Sequence, residues 1–156
     1  MKRIVRRGFT LLELIIVLFV LALIAAIAAP RLSAALRNRT TQTNADQFVA
    51  AHNLARSTAI RYGRVAQLHI DPSTARYWVD VDTSATGIGQ RATIWYMRDV
   101  SSTGLTMSSN RTVICFDARG LSNTVAPCQA GDLQVIFSES GHADTVRTTA
   151  LGKVLR

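Results

Sequence analysis

Glu13 is the one charged side chain inside an apolar run that extends from Phe9 to Ala29. A carboxylate in such surroundings can do one thing well, which is to pair with a cation. Left unpaired at the centre of a bilayer it would cost ~2.5 kcal/mol or more, so an ionisable residue within a spanning segment marks a functional site by default. As a helix the run is long enough to cross a bilayer, which takes ~20 apolar residues. Glu13 therefore either lies near enough to the interface to reach water or needs a cationic partner.

The other residues able to do chemistry are scattered. Cys115 and Cys128 could form a disulfide outside the cytoplasm or stand as two unpaired thiols. The loop such a bond closes is short, a constraint worth ~3 kcal/mol in the chain-entropy model. His52, His69 and His142 fall at no metal-ligand spacing with each other or with the cysteines, so no metal site is expected. Asp80 and Asp82 share one face of a strand, the usual arrangement of a solvated surface. Serine and threonine abound without an attached His and Asp pattern, and Gly87-Ile88-Gly89 lacks the rest of a dinucleotide fingerprint. Neither an enzyme nor a cofactor site is expected.

The chain has 156 residues, enough for one compact domain and a membrane helix. Its net charge is +8, but Lys2, Arg3, Arg6 and Arg7 carry four of those charges ahead of Gly8, and the remainder balances at +4. That is only mildly basic and does not by itself argue for nucleic acid. The cluster before the apolar run has a simpler use, since cations flanking a span hold that end in the cytoplasm and send the body across.

The elements that must carry these residues can be read from periodicity. Pro30 follows the apolar run, and proline within a helix removes a hydrogen bond and kinks it. Leu32, Ala35 and Leu36 keep helical spacing beyond it. The polar stretch Asn38 to Asn44 is the weakest turn. Phe48, Ala51, His52, Ala55, Ala59 and Tyr62 then recur every three or four residues, as on one face of an amphipathic helix, and Gly63 ends it. His52 on that face reads as a core or rim residue. Beyond Gly63 the period becomes two. Val65 to Ile70 and Tyr77 to Asp82 predict a hairpin turned at Asp71-Pro72-Ser73-Thr74. Strands follow at Thr93 to Met97 and Thr112 to Phe116, with a short one at Leu105 to Met107. Leu121 to Gly131 reads as loop. Leu133 to Phe137 and Thr145 to Thr149 form a last pair turned at Ser140-Gly141-His142, and Val154-Leu155 adds an edge. The expected fold class is α+β: a long bent amino-terminal helix, half membrane and half amphipathic, packed on an antiparallel sheet or two small sheets. The expected divisions are 1–8, 9–29, 30–63 and 64–156.

Gly8-Phe9-Thr10-Leu11-Leu12-Glu13 followed by an apolar run resembles the class III signal of type IV prepilins and type II secretion pseudopilins. The resemblance implies a type IV pilin-like fold and a leader, residues 1–8, removed by a prepilin peptidase between Gly8 and Phe9. It implies N-methylation of the new amino terminus at Phe9. It also makes Glu13 the fifth residue of the mature chain, where in an assembled filament its carboxylate can meet the amino group of Phe9 on a neighbour. Pro30 falls where many members carry a helix-bending proline. The competing reading is an ordinary secretory signal cut after Ala26-Ile27-Ala28. Against it, an h-region usually runs ~7–15 residues, and a glutamate within one is unusual.

Leu54-Ala55-Arg56-Ser57-Thr58-Ala59-Ile60-Arg61, with the later Phe116-Asp117-Ala118-Arg119-Gly120 and a final hairpin, resembles the GspH/FimT group of minor pseudopilins. Members usually carry an acidic residue after the Ala-Arg-Ser run, where this chain has Thr58. The resemblance implies a structural subunit of a type II secretion pseudopilus or type IV pilus, held in the bacterial inner membrane by a single pass, with a cytoplasmic amino terminus and a periplasmic globular domain. Its partners would be other pilins, the peptidase and the membrane. Some FimT-like proteins bind DNA through a basic carboxyl-terminal Gly-Arg-x-Arg segment. Here the end is Gly152-Lys153-Val154-Leu155-Arg156 after Arg147, with altered spacing and a lysine in place of one arginine. DNA contact through Arg147, Lys153 and Arg156 is the alternative function, and a final edge strand with solvated charges is the plainer reading.

Overall fold

The computed structural model describes residues 10–83, 91–125, 127–129 and 131–155, apart from the side chains of Trp95 and Tyr96. Helix α1 runs Leu11–Tyr62. The chain divides into two compact units, 1–36 and 37–156.

In the first unit the helix opens on a cap. The Glu13 N–H donates to Thr10 Oγ1 at 3.2 Å and the Leu14 N–H to the Thr10 carbonyl at 3.2 Å. A threonine at this place satisfies one of the orphan donors of a first turn and is worth ~1 kcal/mol relative to alanine. Glu13 sits in that turn, where a carboxylate also meets the positive end of the helix dipole. Pro30 lies inside α1, and Ser33 Oγ donates to its carbonyl at 2.9 Å.

In the second unit α1 buries a stripe formed by Thr41, Asn44, Ala45, Phe48, Ala51, His52, Ala55, Thr58 and Ala59. In the polar stretch before Ala45 two buried side chains bond back onto the helix: Thr41 Oγ1 donates to the Asn38 carbonyl at 2.8 Å and Asn44 Nδ2 to the Thr40 carbonyl at 2.9 Å, while Asn44 Oδ1 has no hydrogen-bond partner in the protein. Gly63 closes the helix with φ 63°, its N–H on the Ile60 carbonyl at 3.3 Å and the Arg64 N–H on the Ala59 carbonyl at 3.1 Å. That pair of bonds is the Schellman motif, which needs a left-handed residue that glycine adopts without strain.

Two antiparallel sheets pack on the stripe. The first is five-stranded, built from β1 (Ala66–Asp71), β2 (Arg76–Asp82), β3 (Arg91–Asp99), β5 (Val113–Phe116) and β6 (Ser122–Asn123), in the order β3-β2-β1-β5-β6. The second is four-stranded, with β4 (Thr106–Ser109), β7 (Leu133–Glu139), β8 (His142–Thr148) and β9 (Val154–Leu155) in the order β4-β7-β8-β9. Ala66, Leu68 and Ile70 of β1, Tyr77, Val79 and Val81 of β2, and Leu133, Val135 and Phe137 of β7 are buried in one core with Phe48. The Phe48 ring touches both sheets, edge-on to Tyr77 at 5.2 Å and tilted against Phe137 at 5.9 Å.

The departures from expectation are local. Within the expected loop Leu121 to Gly131, Ser122 and Asn123 pair with Phe116 and Cys115 as β6. The last hairpin is longer than expected. Its strands meet at Glu139↔His142, and the turn is Ser140-Gly141 alone, both with positive φ. A two-residue turn of that kind matches the twist of its strands, so pairing continues to the turn itself. The Asp71 turn forms as expected. The Asp71 carboxylate accepts from the Ser73 N–H at 3.0 Å and from Thr74 Oγ1 at 2.7 Å. Hydrogen bonds from Ser73 and then Thr74 push its pKa down to about 2.

Candidate functional site

The amino-terminal part of α1 is long and apolar enough to cross a membrane, and none of its most apolar stretch is buried. Leu11, Leu12, Leu14, Ile15, Ile16, Leu18 and Phe19 are all exposed. An apolar surface of this extent is an interaction surface, for lipid or for other helices. Glu13 is the one acidic residue of the first turn, and Thr10 places it there. Threonine at the cap with glutamate three residues on is the capping-box pattern, a signal for the helix start that was present in the sequence and passed over. Gly8 and Phe9 lie outside the described residues.

The run Phe116 to Gly120 is a built turn. The Asp117 carboxylate accepts from the Leu121 N–H and the Arg119 N–H, both at 2.9 Å, and pairs with the Arg119 guanidinium at 3.0 Å. These donors, the Leu121 amide foremost, hold the Asp117 carboxyl below its usual range. Gly120 takes φ 75° and lies so close to α1 that a Cβ there would stand 2.8 Å from Ile60 Cδ1 and 3.1 Å from Arg56 Nε. The two stretches that carry the second resemblance therefore meet in space.

Cys115 and Cys128 are joined by a disulfide with their Cα atoms 5.5 Å apart. The bond ties the segment after β6 back to β5. His52 is buried against the Phe116 ring, edge-on at 4.9 Å. Neither imidazole nitrogen has hydrogen-bond geometry to a protein group, though the Asn53 side chain is near enough to favour the charged form. Burial outweighs it and, with the Arg56 charge, lowers the His52 pKa. His69 and Asp80, treated separately in the sequence, meet diagonally across β1 and β2 at 3.0 Å, with Trp78 stacked on the imidazole at 4.9 Å. Among the described residues no group of three or more His, Cys, Asp or Glu could hold a metal ion.

At the carboxyl end Arg147 is exposed on β8 and paired in register with Gln134 and Leu155. Lys153 is exposed too, in a turn whose backbone is fixed by Thr149: the Thr149 N–H donates to the Lys153 carbonyl at 2.9 Å and the Lys153 N–H to Thr149 Oγ1 at 3.1 Å. Arg156 lies outside the described residues.

The fold is similar to that of solved minor pilins and pseudopilins. The type IV minor pilin FimU of Pseudomonas aeruginosa strain PAO1, in its P21 crystal form, superposes with a TM-score of 0.55 at 16% identity, over 74% of this chain and 86% of that one. The minor pseudopilin EpsH from the Type 2 Secretion System of Vibrio cholerae superposes with a TM-score of 0.55 at 15% identity, over 74% of this chain and 94% of that one. No curated protein matches the chain in sequence. The prokaryotic N-terminal methylation motif matches residues 4–29. The model of the type II transport protein GspH matches residues 44–152, and by that match, over most of its length, the chain belongs to the GspH family.

Proposed function

We propose that this chain is a minor subunit of a type II secretion pseudopilus or a type IV pilus, with a structural and not a catalytic role. It is held by its apolar helix in the inner membrane, with a cytoplasmic amino terminus and a periplasmic domain. A prepilin peptidase cuts between Gly8 and Phe9, and the Phe9 amino group is methylated. The subunit then enters a filament at or near its tip through α1. Glu13 meets the amino terminus of a neighbouring subunit there, so that cleavage creates the cation that the carboxylate needs. One observation carries this reading: the apolar stretch of α1, of membrane length and capped at Thr10, has its single carboxylate at Glu13, inside the matched methylation motif. The cations ahead of Gly8 support the orientation. The alternative of DNA binding through the tail gains no support from the family or the structural neighbours.

The test is the amino terminus of the chain extracted from membranes of a cell with the peptidase. Intact mass and sequencing should give N-methylated Phe9. A mature chain beginning at Ala29 would make this an ordinary secreted protein and overturn the reading.

A further inference from the structure

The cations of this chain are not confined to one side of its apolar run. Arg31, Arg37 and Arg39 follow the run, and no acidic residue stands between Glu13 and Asp46. Cations flanking a span are normally gathered on the cytoplasmic side, where they hold that end in place. An arginine directly behind the far end of the run therefore calls for a use.

The use can be read from what surrounds Arg31. Ile24, Ile27, Ala28, Arg31 and Leu32 line a groove of about 530 Å³ along α1. Their spacing of three and four residues is that of one helix face. Arg31 is exposed and is the one polar side chain of the five. Pro30 stands ~130° round the helix from the middle of this face. The ring of a proline inside a helix presses on the carbonyl one turn back, and the axis bends away from it. The far side, where the groove lies, is then the concave one. Leu11 to Arg31 covers ~30 Å of helix axis, the thickness of the hydrocarbon core of a bilayer. With Leu11 at one face of the hydrocarbon, the guanidinium of Arg31 stands at the headgroup level of the other.

We propose that this groove holds one anionic phospholipid, with its phosphate on the Arg31 guanidinium and an acyl chain along Ile24, Ile27 and Ala28. A guanidinium presents a fork of donors that fits two phosphate oxygens at once. Its apolar stem continues the lining of the groove, so chain and charge are met on one face. The same contact fixes the depth at which α1 sits in the bilayer. An anionic lipid is favoured over a zwitterionic one, because the latter brings its own cation to the phosphate. The proposal rests on the reading of α1 as a membrane span and not on which filament the chain serves.

The test uses the full chain, extracted from membranes in mild detergent and offered phosphatidylglycerol and phosphatidylcholine in equal amounts. Native mass spectrometry counts each lipid on the intact chain. Phosphatidylglycerol should be held in preference. Arg31→Gln should lower its binding about fivefold, the factor that one cation at an anionic surface is worth. Arg31→Lys should lower it less, and Arg39→Gln, outside the groove, should leave it unchanged. Ala28→Trp fills the groove and should expel the lipid with the cation still in place. Glycerol phosphate, the headgroup without its chains, should not displace it. Equal binding of the two lipids, indifference to Arg31→Gln or to Ala28→Trp, an equal loss in Arg39→Gln, or displacement by glycerol phosphate would each overturn the site. The same spectra weigh the chain. A chain beginning at Ala29 lacks the groove and overturns the membrane reading with it, whereas a chain beginning at Phe9 that shows no preference overturns the lipid site alone.

Discussion

Gly120 lies against Ile60: a Cβ at Gly120 would come within 2.8 Å of Ile60 Cδ1, so the end of that side chain would have to shift. The turn that begins at Asp117 is thereby seated on the last turns of α1. Gly120→Ala should destabilise the domain by ~1–2 kcal/mol from its left-handed φ alone. Gly120→Val should do more, since its branched side chain must also displace Ile60. Adding Ile60→Ala should recover the steric part and leave the backbone part. Thermal unfolding of the detergent-solubilised chain reads all of these. An unchanged midpoint in Gly120→Val would refute the close approach.

Phe48 is the residue that joins both sheets to the helix, through Tyr77 and Phe137. Phe48→Ala should cost about 3–5 kcal/mol, the range for removing a buried aromatic ring. Phe48→Leu should cost clearly less, because it keeps most of the apolar volume. Urea unfolding followed by tryptophan fluorescence distinguishes the two. Equal losses would mean that ring geometry, and not volume, is what matters here.

His52 makes the domain sensitive to acid. Burial lowers its folded-state pKa below the ordinary value of 6.5 that it regains on unfolding. The unfolded state therefore binds the proton more readily, and stability rises with pH across that interval. The contribution is complete above about pH 6.5 and is lost progressively as pH falls towards the folded-state value. Stability profiles of the wild type and of His52→Leu should converge in slope above neutrality and diverge below it, with the variant flatter. Parallel profiles would exclude His52 as the source.

The Cys115–Cys128 bond closes a loop with a sequence separation of 13. Its removal in the double variant Cys115→Ala, Cys128→Ala should lower stability by ~3 kcal/mol, with the same loss on reduction of the wild type. Agreement between the two would assign the effect to the cross-link itself. A much larger loss in the double variant would point to packing around Cys115, which is fully buried.

Glu13→Val should leave membrane insertion intact, because it makes the segment more apolar. It should abolish or strongly reduce incorporation into filaments while Phe9 is still produced at the amino terminus. Thr10→Ala removes the cap and offers a comparison in which the carboxylate is kept. Normal incorporation of Glu13→Val would leave Glu13 as a tolerated interface residue.

The amino-terminal third of this protein was legible from the sequence because its logic is local. A run of apolar residues, one carboxylate and a proline need no partners to be recognised, and neither does Gly63, whose left-handed φ follows from its place after the last periodic residue. The hairpin announced by Asp71-Pro72 is local as well, since turn chemistry sets its register, whereas the last hairpin, expected to turn at Ser140-Gly141-His142, turns at Ser140-Gly141 alone. Tertiary structure decided the rest. Alternation marks which face of a strand is buried and not which sheet the strand joins, so the division into two sheets with β5 beside β1 and β4 beside β7 could not be read from it. The same limit hid the seating of Gly120 on Ile60. The two lie far apart in the chain, and only the closing of the core brings them together.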